Sequence, residues 1–564
     1  MKHQFWRKAA AMLPTLLLSF CTMAQSHSVS GTITDEEQLP IPGANVVIKG
    51  TTVGTITGSD GKFTMQASDG DVLQISYIGY TTEEVAVNGS GPYNVSLVPD
   101  MVGLSEVVVV GYGTQRKEAV TGSVASMKGD VVREMPAANI SQSLQGRVAG
   151  VEMQQTSSKP GATMQIRIRG TRSLNASNDP LVVLDGIPFA GSLSDINPNS
   201  IKSIDILKDA SATAIYGSRG ANGVILVTST KGNLNQEATA TYSGYVGLKT
   251  VFSKYPMMDG EKFKQMRQDA DYTNKDGSLM EQEDDANTDW QDEMYANGLV
   301  TNHDLSIVGG TKSASYSFGG GYYKEESVLP GQNYSRLSAR AAIDQKVGKY
   351  LRFGFTSSNN YSISNYSSLG IYSVLSASPL VSPTDKDGNL RRTIDMPEDQ
   401  NSWLYTREAI ENLIDDEKWV NKNKDYGTYN SFYGEISIPR IEGLKYRVNV
   451  GLNFKYSESG NFQAQGVFSG NTDSPSSASQ SKSTTTNWAV ENLLTYDKTF
   501  GKHTINAVGL YSAEKSEYYG SNISAKNLPS DYMLYYNIAQ APVEDLNFNP
   551  SYQGYSDSGL RSMM

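Results

Sequence analysis

Side chains suited to covalent or metal chemistry are sparse in this chain. The four histidines, His3, His27, His303 and His503, lie far apart. No HExxH, GxSxG or phosphate-loop pattern occurs. The stretch Asp385–Asn389 (DKDGN) reads as a loop turn. The best calcium-loop register, Tyr272–Glu283, puts a tyrosine where the first acidic ligand must stand, so it fails. No catalytic residue, no cofactor and no metal ligand is expected, and the chain is read as a non-enzyme. Calcium held by loops is left open.

The chemistry on offer is main-chain hydrogen bonding. Glu106, Val107, Val108, Val109, Val110, Gly111, Tyr112 and Gly113 form the run EVVVVGYG. Four β-branched residues in a row favour extended backbone. Gly111 and Gly113 stop the strand, and Gly103 lies just before it. A short strand tied loosely at both ends can be captured by another sheet edge through strand addition. The competing reading is a buried core strand, and the surroundings decide between them.

Those surroundings comprise several domains. At 564 residues the chain is too long for one ordinary domain, and three or more are expected. It carries 48 basic and 59 acidic residues, a net charge of −11 and a pI near 5.1, which argues against nucleic acid as a partner. Of 33 tyrosines, only Tyr77, Tyr80, Tyr93, Tyr112 and Tyr216 precede Gly232, so the other 28 mark the second half as a different kind of structure.

Residues 1–24 read as a signal peptide. Lys2, Arg7 and Lys8 form a basic start, and Ala9–Cys21 is apolar but too short to span a bilayer. Thr22-Met23-Ala24 is a small-x-small site, which places cleavage between Ala24 and Gln25. Phe20 is too bulky for a lipoprotein motif at Cys21. The only cysteine then leaves with the signal, so neither a disulfide nor a thiol site is expected. No later run is apolar enough for a transmembrane helix, and membrane residence would have to be as a β-barrel.

Residues 25–99 read as a small β-sandwich. Seven strand candidates run over Ser28–Thr34, Ala44–Ile48, Gly54–Thr57, Lys62–Met65, Val72–Ser76, Tyr80–Val87 and Tyr93–Leu97. Turn signals such as Pro42-Gly43 and Asp60-Gly61 separate them. The segment resembles the carboxypeptidase-regulatory-like domain through Gly31, Asp35, Pro42, Gly43, Ala44, Gly50, Thr51, Gly54, Thr55, Gly61 and Phe63. Ile33 replaces that pattern's Val, and Gly58 stands where its Asp would follow Thr57.

Residues 100–116 then read as a linker around the valine run, and 117–232 as a mixed α/β domain. A helix is expected over Ile140–Val148, capped by Asn139 or Ser141. Met164–Gly170 alternates as a half-wet strand. Pro180–Ile187 is a buried strand running into an Asp185-Gly186 turn. Ile201–Lys208, a short helix over Ala210–Tyr216, and the buried strand Val224–Thr228 complete it. The runs QSLQGRVAGVEMQQTSSKPGATMQIRIRGTRSLNASNDPLVVLDGIPF and DILKDASATAIYGSRGANGVILVTSTKG resemble the plug of SusC/RagA-type TonB-dependent outer-membrane transporters. The resemblance is close over residues 28–232 and weaker afterwards. It implies that Glu106–Gly113 is the TonB box. It also implies a plug framework of Gly146, Arg147, Gly150, Val151, Arg167, Arg169, Gly170, Asp185, Gly186, Tyr216, Gly217, Gly220, Ala221, Gly223 and Gly232. The glycines are expected in tight turns and the arginines against a barrel wall.

Residues 233–564 alternate differently. In Lys445–Lys455, Tyr446, Val448, Val450, Leu452 and Phe454 share one face and polar residues the other. Arg336–Asp344 does the same with Leu337, Ala339, Ala341 and Ile343. Asp304–Gly309, Tyr316–Lys324, Trp488–Asp497 and Lys502–Ser512 are further candidates. Strands of nine to eleven residues, apolar outside and polar inside, fit a tilted transmembrane wall. Ser364–Lys424 and Ser457–Ser483 are expected as extracellular loops, with short helices over Met257–Ala270 and Asp289–Gly298 in another.

The fold class is thus mostly β: a small sandwich, an α/β plug, then the first strands of an antiparallel transmembrane barrel. About nine or ten strands are expected, against the 22 that the resemblance implies for a complete barrel. The chain also ends in Arg561-Ser562-Met563-Met564, without the family's terminal aromatic residue. An open half-barrel leaves unpaired edges, so the sequence is read as the N-terminal part of a longer chain.

The resemblance implies an outer-membrane protein with residues 25–116 in the periplasm. It implies import of an oligosaccharide or peptide, powered through a TonB–ExbB–ExbD system and assisted by a SusD-like surface lipoprotein. Loop residues Tyr361, Tyr366 and Trp403 are candidates for stacking on sugars or for packing. Three rival readings stand beside this one: a surface β-module protein or adhesin, a signalling receptor, and an inactive truncated transporter.

Overall fold

The computed structural model describes residues 26–35, 39–51, 53–77, 80–97, 107–110, 113–116, 123–134, 140–189, 191–279, 283–284, 286–366, 371–389, 418–466, 474–501, 503–547 and 554–563. The expected signal peptide, its cleavage site at Ala24 and Gln25, and Trp403 lie outside them.

The N-terminal unit is built from alternation. Its strands are β1 (His27–Thr34), β2 (Asn45–Ile48), β3 (Gly54–Ile56), β4 (Lys62–Ala67), β5 (Val72–Ser76), β6 (Glu83–Ala86) and β7 (Tyr93–Ser96). They form two sheets, ordered β4-β1-β7 and β3-β2-β5-β6. In β4 every second residue, Phe63, Met65 and Ala67, is buried. They meet Val29, Ile33, Leu73 and Ile75 in one core. All seven expected strands are present, β6 being the one most shortened.

In the valine run, β8 (Val107–Val110) pairs with β9 (Gly113–Arg116) as a two-stranded sheet of its own. The strand expected there is formed. Glu106, Gly111 and Tyr112 lie outside the described residues.

The second unit begins with an α/β core. Its strands are β10 (Val124–Lys128), β11 (Val151–Gln155), β12 (Met164–Ile168), β13 (Leu181–Leu184), β14 (Ile187–Pro188), β15 (Ile201–Leu207) and β16 (Val224–Ser229). Five of them form a mixed sheet, β10-β15-β16-β13-β14, and β11 pairs with β12. β13 and β16 are near-continuous apolar runs because their sheet is covered by the rest of the domain, whereas β15 mixes buried Ile201, Ile204, Ile206 and Leu207 with Lys202, Ser203 and Asp205. Short helices Gly129–Arg133 and Ile140–Leu144 bury Val132, Ile140 and Leu144 against Ile204, Ile206, Ile225 and Val227. The second helix stops four residues earlier than its apolar spacing implies. Gly146 has φ +72°, which ends it, although Val148 still joins the same core. Ser141 is buried inside this helix and is not its cap, and Asn139 is not described.

The rest is one antiparallel sheet. Its members are β17 (Thr239–Lys249), β18 (Gly298–Gly310), β19 (Ala314–Glu326), β20 (Asn333–Val347), β21 (Leu351–Asn365), β22 (Trp419–Ser437), β23 (Leu444–Gln463), β24 (Ser477–Phe500), β25 (His503–Lys526), β26 (Leu546–Asn547) and β27 (Gly554–Met563). This makes 11 strands, one more than the expected nine or ten allow. Each pairs with the next as far as β26, and β27 pairs with β25. Among the described residues β17 has β18 as its one strand partner, so the sheet has open edges.

Strand length is the larger correction. β22 to β25 are 19, 20, 24 and 24 residues long, not nine to eleven. Residues 457–463 and 477–483, expected in a loop, are paired strand. The extensions are rich in Ser, Thr, Asn and Lys, so they lack the apolar alternation that marks a lipid-facing strand. The long connection between β17 and β18 carries helices, at Gly260–Asp269 and Trp290–Met294, as expected. The connection between β17 and β18 is joined to the one after β21. The Trp290 indole N–H donates to the Ser378 carbonyl at 2.8 Å, and the Thr288 hydroxyl donates to that of Val381 at 2.7 Å.

The two faces of the sheet differ as expected. On β20, Leu337 and Ile343 are exposed while Arg336 and Asp344 are buried. On β23, Tyr446, Leu452 and Phe454 are exposed while Asn449 is buried.

Candidate site where the plug meets the wall

The α/β core is seated against the polar face of the sheet, and two of its turns make the joint. The first is the β13–β14 hairpin. Asp185 and Gly186 have φ of +50° and +92°, so both central residues are left-handed, which suits an Asp-Gly two-residue turn. This turn carries Asp185 into a closed site. Its carboxylate accepts the Ser229 N–H at 3.0 Å and also the Ser229 hydroxyl. Arg340 of β20 lies 3.5 Å away and Lys231 3.8 Å away. Arg340 also donates to the Thr230 carbonyl at 2.8 Å and to Ser229 Oγ. Burial alone would raise the Asp185 pKa, but Lys231 and Arg340, with the Ser229 hydrogen bonds, hold it below the usual carboxylate value.

The second turn is residues 192–200, two short 3₁₀ turns, Leu193–Asp195 and Pro198–Ser200. Asp195 bonds back to the Ser192 N–H at 2.9 Å, which caps the first and fixes the carboxylate. That carboxylate accepts from Tyr429 of β22 at 3.0 Å, and Lys455 of β23 lies 3.9 Å away. The Asp195 carbonyl accepts from Asn360 of β21 at 3.2 Å, and the Ser194 carbonyl from Arg336 of β20 at 2.6 Å. Asn197 and Asn199 each donate to Asp304 of β18 at 2.6 Å. A flat sheet would hold β18 and β23 about 24 Å apart, five spacings of about 4.8 Å. A six-residue stretch touches both, so the sheet curves around the plug.

Nearly all of these contacts are hydrogen bonds and ion pairs. A cavity of about 490 Å³ remains beside them, lined in part by Arg133, Asp195, Asn199, Asp304 and Tyr429. Water can replace bonds of this kind one at a time, and each is worth only about 0.5–1.5 kcal/mol net. Such a joint holds a domain in place yet lets it be drawn out in steps.

Most of the expected framework residues serve the plug's own backbone. Gly146, Gly150, Gly170, Gly217 and Gly223 have positive φ, as does Arg169. Gly220 sits where an added Cβ would be 2.8 Å from the Thr213 carbonyl oxygen. At Gly232, where the chain meets the wall, an added Cβ would be 2.2 Å from the Gly309 oxygen. Val151 opens β11, and Tyr216 is buried against Leu207 and Val224. The Ala221 carbonyl accepts from Arg172. Two of the arginines expected against the wall bond inside the plug instead. Arg147 bonds to Val131 and Glu134, and Arg167 to Asp179, all within the plug.

Arg219 does reach the wall, pairing with Glu514 of β25. Asp195, Asn197, Asn199, Asp304, Arg336 and Arg340 were not singled out from the sequence. One signal was available: Arg336, Ser338 and Arg340 are the polar partners of Leu337 and Ala339 in a strand whose apolar face was recognised. Tyr361 lies on the outward face of β21 and is 40% exposed. Tyr366 packs on the plug instead, with Lys159 4.8 Å from its ring centre.

A plug bonded to the polar face of a curved antiparallel sheet, apolar on its other side, defines a plugged β-barrel of an outer membrane. Residues 116–224 match the model of the TonB-dependent receptor plug domain, and residues 29–109 that of the CarboxypepD_reg-like domain. TonB-dependent receptor P3 of Formosa agariphila is 32% identical over 94% of this chain and 52% of its own length. TonB-dependent receptor SusC of Bacteroides thetaiotaomicron is 40% identical over 60% of this chain and 34% of its own. The fold matches that of the RagAB peptide importer in its open-open state, with a TM-score of 0.66, 24% identity, and coverage of 81% of this chain and 53% of that one. The chain belongs to the SusC/RagA-type TonB-dependent receptors, which are outer-membrane proteins and not enzymes. It spans about half the length of TonB-dependent receptor P3 and of the matched RagAB chain.

Proposed function

We propose that this chain is part of an active importer of nutrients across the outer membrane. The observation that carries this reading is the largely polar joint around Asp185 and Asp195, which seats a plug in a wall with few apolar contacts, Phe189 on Tyr429 among them. In this reading, substrate binds above the plug, among plug loops and extracellular connections. Occupancy releases Glu106–Gly113 into the periplasm, where residues 25–116 lie. A TonB protein, energised by ExbB and ExbD, adds a strand to the valines and pulls. The plug then parts from the wall in steps, and substrate passes.

The substrate class proposed is an oligosaccharide or a peptide, delivered under a SusD-like surface lipoprotein. The matched RagAB structure is that of a peptide importer, which supports a peptide as one of the two. The full-length receptor with its lipoprotein, reconstituted in its native host, is tested by uptake of labelled oligosaccharides and labelled peptides. Uptake of one class that depends on the receptor supports import and selects the substrate. Uptake of neither, in cells where the receptor is assembled, contradicts it.

A further inference from the structure

The outward face of the long strands changes character partway up. On β22 the outward residues from the short-turn end are Ile436, Gly434, Phe432, Asn430, Thr428 and Tyr426, then Lys424 and Lys422. The short turns mark the periplasmic end of such a barrel, and a wall of about ten residues crosses the membrane. Lys424 therefore stands at the outer edge of the lipid belt, two residues above the exposed Tyr426. The register places Lys424, Glu458 and Lys482 side by side on three neighbouring strands, with Lys422, Gly460 and Gln480 in the next outward row.

The connection after β25 folds onto this same face. Tyr535 is 1% exposed and lies flat on Gly460, where an added Cβ would come within 2.2 Å of its ring. Phe462, Ala478, Ala525 and Leu528 close the cluster around it. Tyr536 packs at a tilt beside Tyr535, centroids 4.3 Å apart, yet remains 61% exposed. Lys424 Nζ is 5.9 Å from the Tyr536 ring centre and 3.6 Å from Glu458. The two rows hold three lysines and one acid, an excess of two positive charges beside a fixed aromatic face. Beside the residues that this connection covers, the surface continues the lipid-facing wall upward to the level of the headgroup layer.

We propose that Lys422, Lys424, Lys482 and Tyr536 form a binding site for the phosphorylated sugar headgroup of an outer-leaflet glycolipid. The lysines meet phosphate, and the tyrosine ring meets the apolar face of a sugar. The site is on the outer wall, away from the import path, and does not depend on what the receptor carries.

The test uses the full-length receptor in nanodiscs of phosphatidylcholine doped with lipid A, read by native mass spectrometry. Wild type retains lipid A. Replacing Lys424 and Lys482 together by Gln lowers retention roughly tenfold or more, as loss of charge-assisted contacts should. Tyr536→Ala lowers it separately, and the Lys→Arg pair, which keeps the charge, retains it. Equal retention by wild type and the Gln pair, at equal melting temperature, overturns the site. So does equal retention of phosphatidylglycerol and lipid A, which would leave only general attraction to anionic lipid.

Discussion

Arg340 of the wall and Asp185 of the plug form an ion pair at 3.5 Å, with side chains only 9% and 4% exposed. Neither charge is left to water. Asp185 also holds Ser229, and Arg340 also holds Thr230, so the pair ties the β13–β14 hairpin and the end of β16 to one place on β20.

Replacing Arg340 by Met should therefore be costly. It strands the Asp185 carboxylate in a closed site with Lys231 alone, and removing one partner of a buried pair costs about 3–5 kcal/mol. The expected outcome is a plug that leaves the wall at lower urea concentration, while the strands keep their pairing. Limited proteolysis of the plug during a urea titration measures this. Asp185→Asn with Arg340→Met together should recover part of the loss, because no unpaired charge then remains.

The same pair gives a pH dependence with a fixed sign. The Asp185 pKa is lowered in the folded protein. A lowered carboxylate adds stability that is fully present above its unfolded value, about 4, and is lost as pH falls through the folded value. The stability gap between wild type and Asp185→Asn should be constant near neutrality and shrink below about pH 4. Plug release measured across pH 2–7 for both proteins checks this.

How much of this was legible in the sequence depends on which force shaped each residue. The framework glycines were, because left-handed backbone and close approach leave few alternatives. At Gly223 both apply: φ is +90°, and an added Cβ would lie 2.7 Å from Ile168. The wall's middle was legible through its apolar alternation. The strand extensions were not, because above the lipid their outward residues face water, loop or headgroup, and polar Ser-Lys-Ser-Thr sequence reads as loop. The joint was hidden for a related reason. Asp195 and Asp304 are ordinary polar residues until the fold brings together positions 109 residues apart.

The long connections after β17 and β21 should depend on Trp290. It is 4% exposed and ties one connection to another through Ser378. Truncation to Ala removes a large buried side chain, at about 3–5 kcal/mol, and leaves the Ser378 carbonyl without that donor. Residues 250–297 should then become protease-sensitive at the cell surface, with the plug joint unaffected. Surface digestion of intact cells followed by mass mapping reads both outcomes.

The central claim is that the valine run is a strand offered to a partner that pulls. The most direct measurement is uptake by cells carrying the full-length receptor with Val108→Pro, beside a check that the receptor is assembled and binds its substrate. Proline removes a main-chain donor and fixes φ in the middle of that strand. The account predicts normal assembly, normal binding and uptake reduced to the level of cells without the receptor. Uptake at the wild-type rate would contradict it.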